Sequence, residues 1–231
     1  MRFDDYRSIE FERRERVLVV KLNRPEQLNA VDAGLHAELA RVFGDVQRDP
    51  DSDVVVLTGN GRAFCAGGDL AWMQSAIDRP EEFERTAREA KDIVFSQLDL
   101  EKPLIARLNG HAIGLGASLA LLSDVIVAHE GVKIGDPHVS VGLVAGDGGA
   151  LIWPQLCGHA KARKYGLAAR LAAGATRAIR WTKLTTNLPL RQLFHACFDT
   201  GIAYEMPSNA TRDHAEAVAA FRDRRPPRFG R

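Results

Sequence analysis

Val54-Val-Val-Leu57-Thr-Gly-Asn-Gly-Arg-Ala-Phe-Cys65-Ala-Gly67-Gly68-Asp69-Leu70 is the stretch that decides the fold. Four aliphatic residues in a row, three of them β-branched, show no polar alternation, as in a strand buried on both faces. A glycine-studded loop follows over 58–68, and Asp69 stands where a helix begins. Upstream, Ile9 and Phe11 alternate with charged neighbours and Val17 to Leu22 is rich in β-branched residues, so a hairpin turning at Arg14-Glu-Arg16 opens the chain. Asp32 then caps a helix whose Leu35, Leu39, Val42, Phe43 and Val46 keep helical spacing up to Asp49-Pro50.

The same strand, loop and helix unit recurs downstream. A helix starts at Pro80-Glu81 and runs to about Leu98, with Phe83, Ala87, Ala90, Ile93, Val94 and Leu98 on one face and a solvated charged face over 81–91. A strand over 104–108 leads into Asn109-Gly-His-Ala-Ile-Gly114-Leu115-Gly116-Ala-Ser118-Leu-Ala120 and a small-residue helix over 117–122. Strands are expected over 125–128 and 132–134, helices over 160–173 and 175–187, and an extended tail at Arg224 to Phe229. The order of elements is α/β.

Composition narrows the functional classes. The 231 residues are 45% hydrophobic and 26% charged, with a formal charge of +1, so no global field attracts nucleic acid or a membrane surface. Cys65, Cys157 and Cys197 fit neither a disulfide framework nor zinc-ligand spacing, and no metal site is expected. They read as free thiols in a reducing compartment. The N-terminus lacks the basic and apolar segments of a signal peptide, and the longest apolar run, 112–122, is too short to span a bilayer, so the expected location is the cytoplasm.

Each glycine loop has more than one reading. The first can be a plain turn between strand and helix, or a set of backbone amides aimed at a developing negative charge, but it lacks the Gly-Lys-Ser/Thr ending of a phosphate loop. In the second, Gly114-Leu-Gly116 begins a dinucleotide fingerprint but Leu119 replaces the third glycine. Gly116-Ala-Ser118-Leu-Ala120 is one substitution from a nucleophile elbow, which makes a serine hydrolase an alternative. The third reading makes the two loops a pair of N–H donors to one carbonyl oxygen.

Five ordered motifs single out one family: Asn23-Arg-Pro-Glu-Gln-Leu28-Asn-Ala30, Ala63-Phe-Cys-Ala66-Gly67-Gly68-Asp69-Leu70, Lys102-Pro-Leu-Ile-Ala106, the 109–116 loop and Leu122-Ser-Asp124. In this order they resemble the crotonase, or enoyl-CoA hydratase/isomerase, superfamily over residues 9 to about 165, and Arg225-Pro-Pro-Arg-Phe229 is similar to its terminus. The resemblance implies a ββα spiral over 1–165 and a C-terminal helical trimerisation region over 166–231, with trimers pairing into hexamers. It implies an acyl-CoA substrate, with no cofactor beyond the CoA that the substrate carries. The oxyanion-hole amides fall at Gly68 and Leu115. Leu28, Ala30, Ala66 and Asp69 fall where the family contacts CoA, and Gly67, Leu70, Gly114 and Ser118 complete the expected substrate-binding set.

The chain departs from the family pattern at the acid/base positions. The two glutamates with which the family's hydratases activate water and protonate carbon fall on Ser118 and His138. Asp147 lies where the dehalogenase branch carries its catalytic aspartate, which makes it the leading acid/base candidate beside His138; its alternative role is a helix N-cap. Asp136 precedes Pro137, reads as the start of a turn and ranks below Asp147. Trp72 and Met73 are candidates to line the acyl pocket, with core packing the preferred reading for Met73. The expected activity is enoyl-CoA hydration, with enoyl-CoA isomerisation, a serine hydrolase using Ser118 and a non-catalytic acyl-CoA binder as alternatives. Lys164-Tyr165 runs straight into Gly166-Leu-Ala-Ala-Arg-Leu-Ala-Ala-Gly174, so a family segment is missing near 165–171, through either a deletion or a stretch dropped from a longer native chain.

Overall fold

The computed structural model describes residues 3–79, 83–138, 143–158, 211–213 and 223–229, with isolated positions between 178 and 220. Strands β1 (Ile9–Arg14) and β2 (Val17–Leu22) form the antiparallel hairpin, turning at Glu15 in the left-handed region. Strands β3 (Val54–Gly59), β4 (Leu104–Leu108) and, after two intervening elements, β6 (Val125–Ala128) add in parallel, giving a five-stranded sheet in the order β1-β2-β3-β4-β6. A two-stranded parallel sheet joins β5 (Ala112–Ile113) to β7 (Ile134–Gly135). The mixed sheet with parallel crossovers is the α/β architecture expected from the chain.

Helix α1 (Ala33–Gln47) shows why the core sits where it does. The Asp32 side chain accepts from the Leu35 N–H and caps the helix, while Leu35, Leu39, Val42, Phe43 and Val46 are all buried. Burying these five side chains supplies on the order of 10 kcal/mol gross, against about 1 kcal/mol for the cap, so the apolar stripe decides the docking and the cap sets only where the helix begins. The stripe packs among Leu18, Val20, Leu22, Val55, Leu57, Leu104, Ala106 and Ile93.

Helix α3 (Phe83–Leu98) packs against α1 with a face rotated from the expected one. Ile93 and Gln97 are buried, whereas Ala87 and Leu98 are exposed. Polar residues turn inward because they find partners there: Gln97 donates to the Leu119 carbonyl at 2.8 Å, and Glu89 meets the buried His36 of α1 at 2.8 Å. Glu89 is therefore an exception to the solvated charged face.

Helix α2 (Leu70–Asp78) follows the first glycine loop, and α4 (Leu115–Leu121) begins two residues earlier than the composition suggests. Strand β7 is limited to Ile134–Gly135, and α5 (Gly149–Cys157) opens the helical part of the chain. No helix among the described residues is long and apolar enough to cross a membrane. Cys65 and Cys157 carry free thiols. The chain divides into two compact units, Met1–Thr185 and Thr186–Arg231. In the second, Glu216 pairs with Arg225 at 2.6 Å and accepts from the Arg228 N–H at 2.8 Å, holding the extended tail. The helices expected over 160–173, most of that over 175–187, and the junction at 165–171 lie outside the described residues.

Candidate active site

The site is built where three loops meet at the ends of parallel strands. After β2, the turn Pro25–Gln27 ends with Leu28 and Asn29 both in the left-handed region, at φ 55° each. Such a pair is costly for side chains other than glycine. Asn29 holds it in place: its amide donates to the carbonyls of Asn60 and Ala63, and its oxygen accepts from the Arg24 N–H. The following residues are laced to the first glycine loop. Ala66 N–H donates to Leu28 O, Val31 N–H to Gly67 O and Asp69 N–H to Val31 O. In this parallel bridge between Val31 and Gly68, the flanking residues make the bonds, so the Gly68 N–H points away from the bridged segment.

The second glycine loop packs directly on the first. Ile113 N–H donates to Cys65 O at 2.9 Å, and a side chain on Gly114 would begin 3.6 Å from the Gly67 Cα. Gly116 is required by contact: a Cβ there would stand 2.5 Å from the Cβ of Cys65. Burial pushes the Cys65 thiol up to about 11, although the N–H groups of Gly67 and Gly116 pull the other way, so this sulfur stays a neutral packing element between the loops. Leu115 is the first residue of α4, so its N–H has no partner within the helix. The Gly68 and Leu115 amides thus belong to two loops in van der Waals contact.

Beside this junction lies a cluster of three ionisable groups. His138 reaches to 3.7 Å from the position of a Gly114 Cβ through its Cε1. Its Nδ1 is bound to Asp136 Oδ1, its Nε2 lies 3.4 Å from Asp147 Oδ2, and Ser118 Oγ donates to Asp147 Oδ1 at 3.4 Å. Burial disfavours the imidazolium, but the Asp136 hydrogen bond and the charges of Asp147 and Asp136 outweigh it and hold His138 above its ordinary value. Burial lifts the Asp147 carboxyl above its ordinary value; His138 pulls it down and Asp136 pushes it further up. Both imidazole nitrogens face carboxylates, and one ligand atom from each of Asp136, His138 and Asp147 lies within 4.8 Å of the others.

The N-cap alternative for Asp147 is only partly realised. Helix α5 is capped by Gly148 at φ 103°, with no side-chain cap bond, and Asp147 faces the cluster. Ser118 is buried and bonds the carboxylate, which departs from a nucleophile elbow, where the serine oxygen stands exposed beside a base. Leu28, Ala30, Ala66, Gly67, Gly68 and Asp69 lie together in the laced loops; Leu70 is 80% exposed at the start of α2. Asp69 spends its carboxylate on capping, accepting from Ala71 and Trp72 N–H, and pairs with Arg24 at 3.4 Å.

Two residues near the site carry more than the sequence reading assigned them. Asp136 does start a turn, accepting from the His138 N–H at 3.1 Å, but the same oxygen binds the ring. The signal was present as a turn-forming aspartate two residues before a histidine. Met73 is half-buried outside the core, with its sulfur 3.2 Å from the position of a Gly68 Cβ, so it packs against Gly68 rather than in the core. Trp72, in contrast, packs on the core and on His36, ring centroids 5.2 Å apart.

Residues 12–223 match the family described as enoyl-CoA hydratase/isomerase. The chain is 30% identical to the 2,3-dehydroadipyl-CoA hydratase of Escherichia coli (strain K12) over 250 aligned positions, covering 94% of this chain and 96% of that protein. It is 29% identical to the 1,2-epoxyphenylacetyl-CoA isomerase of the same strain, covering 92% and 94%. A crystal structure of an enoyl-CoA hydratase/isomerase from Mycobacterium paratuberculosis superposes with a TM-score of 0.68 at 32% identity, covering 91% and 92% of the two chains.

Proposed function

The chain belongs to the enoyl-CoA hydratase/isomerase family, and from that premise we propose that it is an acyl-CoA hydratase that works through a thioester enolate, with Gly68 and Leu115 N–H groups receiving the thioester oxygen. The observation that carries this reading is the His138–Asp147 pair beside the contact of the two glycine loops. Negative charge grows on the thioester oxygen as the β-carbon is attacked, and fixed N–H donors stabilise it without reorganisation. In the ion-paired form, Asp147 accepts a proton from the attacking water and His138 delivers its Nε2 proton to the α-carbon. The pair is left neutral, and proton return across its 3.4 Å gap restores the starting state.

Isomerisation is the second reading, favoured by the same compactness. Moving a double bond needs one proton taken from carbon and returned to another, and a single His138–Asp147 unit can do both. Incubation with a panel of enoyl-CoAs in heavy-oxygen water, with products read by mass spectrometry, separates the two. Label at the β-carbon supports hydration, and a shifted double bond without label supports isomerisation. CoA-dependent thermal stabilisation with no turnover of any acyl-CoA overturns both.

The CoA moiety arrives as part of the substrate, and the reading needs no further cofactor. A homotrimer or homohexamer in the cytoplasm is part of the same proposal. Apolar side chains exposed on β6 (Val125, Ile126, Val127) and α5 (Leu151, Leu156) support assembly, and the free thiols of Cys65 and Cys157 support a reducing compartment. Light scattering on the purified protein tests the oligomer.

A further inference from the structure

We infer that Asp136 is a positioning residue for His138: it fixes the proton on Nδ1 and so commits Nε2 to proton exchange with Asp147 and substrate. The inference rests on the acyl-CoA reading only for what His138 acts upon. A neutral imidazole has two tautomers, and whichever nitrogen donates to a fixed acceptor leaves the other as the acceptor. Here a carboxylate is fixed at Nδ1. Asp136 Oδ1 accepts from both the backbone N–H and the Nδ1 of His138, which ties ring orientation to the Asp136-Pro137 turn.

Two further features hold the carboxylate still. Its side chain is only 8% exposed, and its second oxygen lies against Gly149 at the start of α5, where any side chain at that position would collide with it. Among the described residues, the charged groups facing His138 are Asp136, from its own loop, and Asp147, from the segment before α5; α4 contributes the Ser118 hydroxyl through Asp147, and the second glycine loop only the backbone of Gly114. Asp147 sits at the exchanging nitrogen and so cannot hold the tautomer. Asp136 is left with that role.

The test combines nitrogen NMR of the imidazole with kinetics, on the full chain. In the wild-type protein without substrate, His138, assigned through His138→Gln, is expected to keep Nδ1 protonated throughout its titration. Asp136→Asn retains an oxygen for the turn but removes the charge. It should lower the His138 titration point, move the alkaline limb of the kcat profile to lower pH and reduce kcat about 10–100-fold with KM little changed. Asp136→Glu should restore part of the lost rate. Unprotonated Nδ1 in the wild-type protein overturns the inference even if no variant folds, and so does an Asp136→Asn protein with an unchanged His138 titration and pH profile. Because the NMR arm needs no substrate, a failure of the acyl-CoA reading leaves it decisive.

Discussion

Asp69 and Asp147 stand in nearly the same sequence setting, each beside paired glycines where a loop enters a helix, yet they titrate in opposite directions. At Asp69, partial burial works against the charge, but the N–H groups of Trp72 and Ala71 and the Arg24 guanidinium outweigh it and hold the carboxyl below its ordinary range. At Asp147, burial dominates, and the nearest cation is a histidine already bound to a second carboxylate, so the carboxyl rises. The difference follows from which residue caps the helix. Asp69 caps α2 itself, while Gly148 takes that position at α5 and leaves the Asp147 side chain turned toward His138. A carboxylate used as a cap is held charged; one turned away from the cap and shielded from water keeps its proton to higher pH.

The sharpest way to break this contrast is Asp147→Asn. Loss of a proton-transferring group lowers kcat by about 10²–10⁴-fold with a much smaller change in KM, and the melting temperature stays level or rises because a buried carboxyl is removed. An unchanged kcat would shift the acid/base role to His138 alone. Gly116→Ala comes next. It pushes a methyl against Cys65 between the two glycine loops and should destabilise the fold by about 1–3 kcal/mol while depressing turnover through displaced Gly68 and Leu115 amides. Full activity and stability in this variant would mean that loop contact does not position the amides.

Asp69→Ala should cost about 0.5–2 kcal/mol, or roughly 2–4 °C in melting temperature per kcal/mol, and leave kcat within a few-fold of wild type. A large kcat loss there would erase the distinction between the two aspartates. The smallest effect is the pH dependence of stability. Asp69 is depressed, so its contribution is complete above its unfolded value of 3.8 and fades as pH falls through its lower folded value. Asp147 and His138 are raised, so theirs is complete below their unfolded values, 3.8 and 6.5, and fades as pH rises through their folded values. Denaturant titrations of Asp69→Ala and Asp147→Asn across pH should therefore diverge from wild type in opposite directions.

What the sequence determined by itself is whatever local pattern enforces. The β-branched run at 54–57, the Asp32 cap and the apolar spacing of α1 required a strand and a helix whatever surrounded them, and the ordered motifs of the glycine loops carried the family. The close approach of Gly116 to Cys65 explains one of those glycines only afterwards, since a contact between residues 51 positions apart leaves no periodicity. Tertiary structure alone decided which face α3 buries, because Glu89 and Gln97 turn inward only where His36 and the Leu119 carbonyl await them. It also separated Asp69 from Asp147 and raised Asp136 from turn residue to ring anchor. Strength of a charge depends on burial and on partners from other elements, and neither is a property of the residues beside it in the chain.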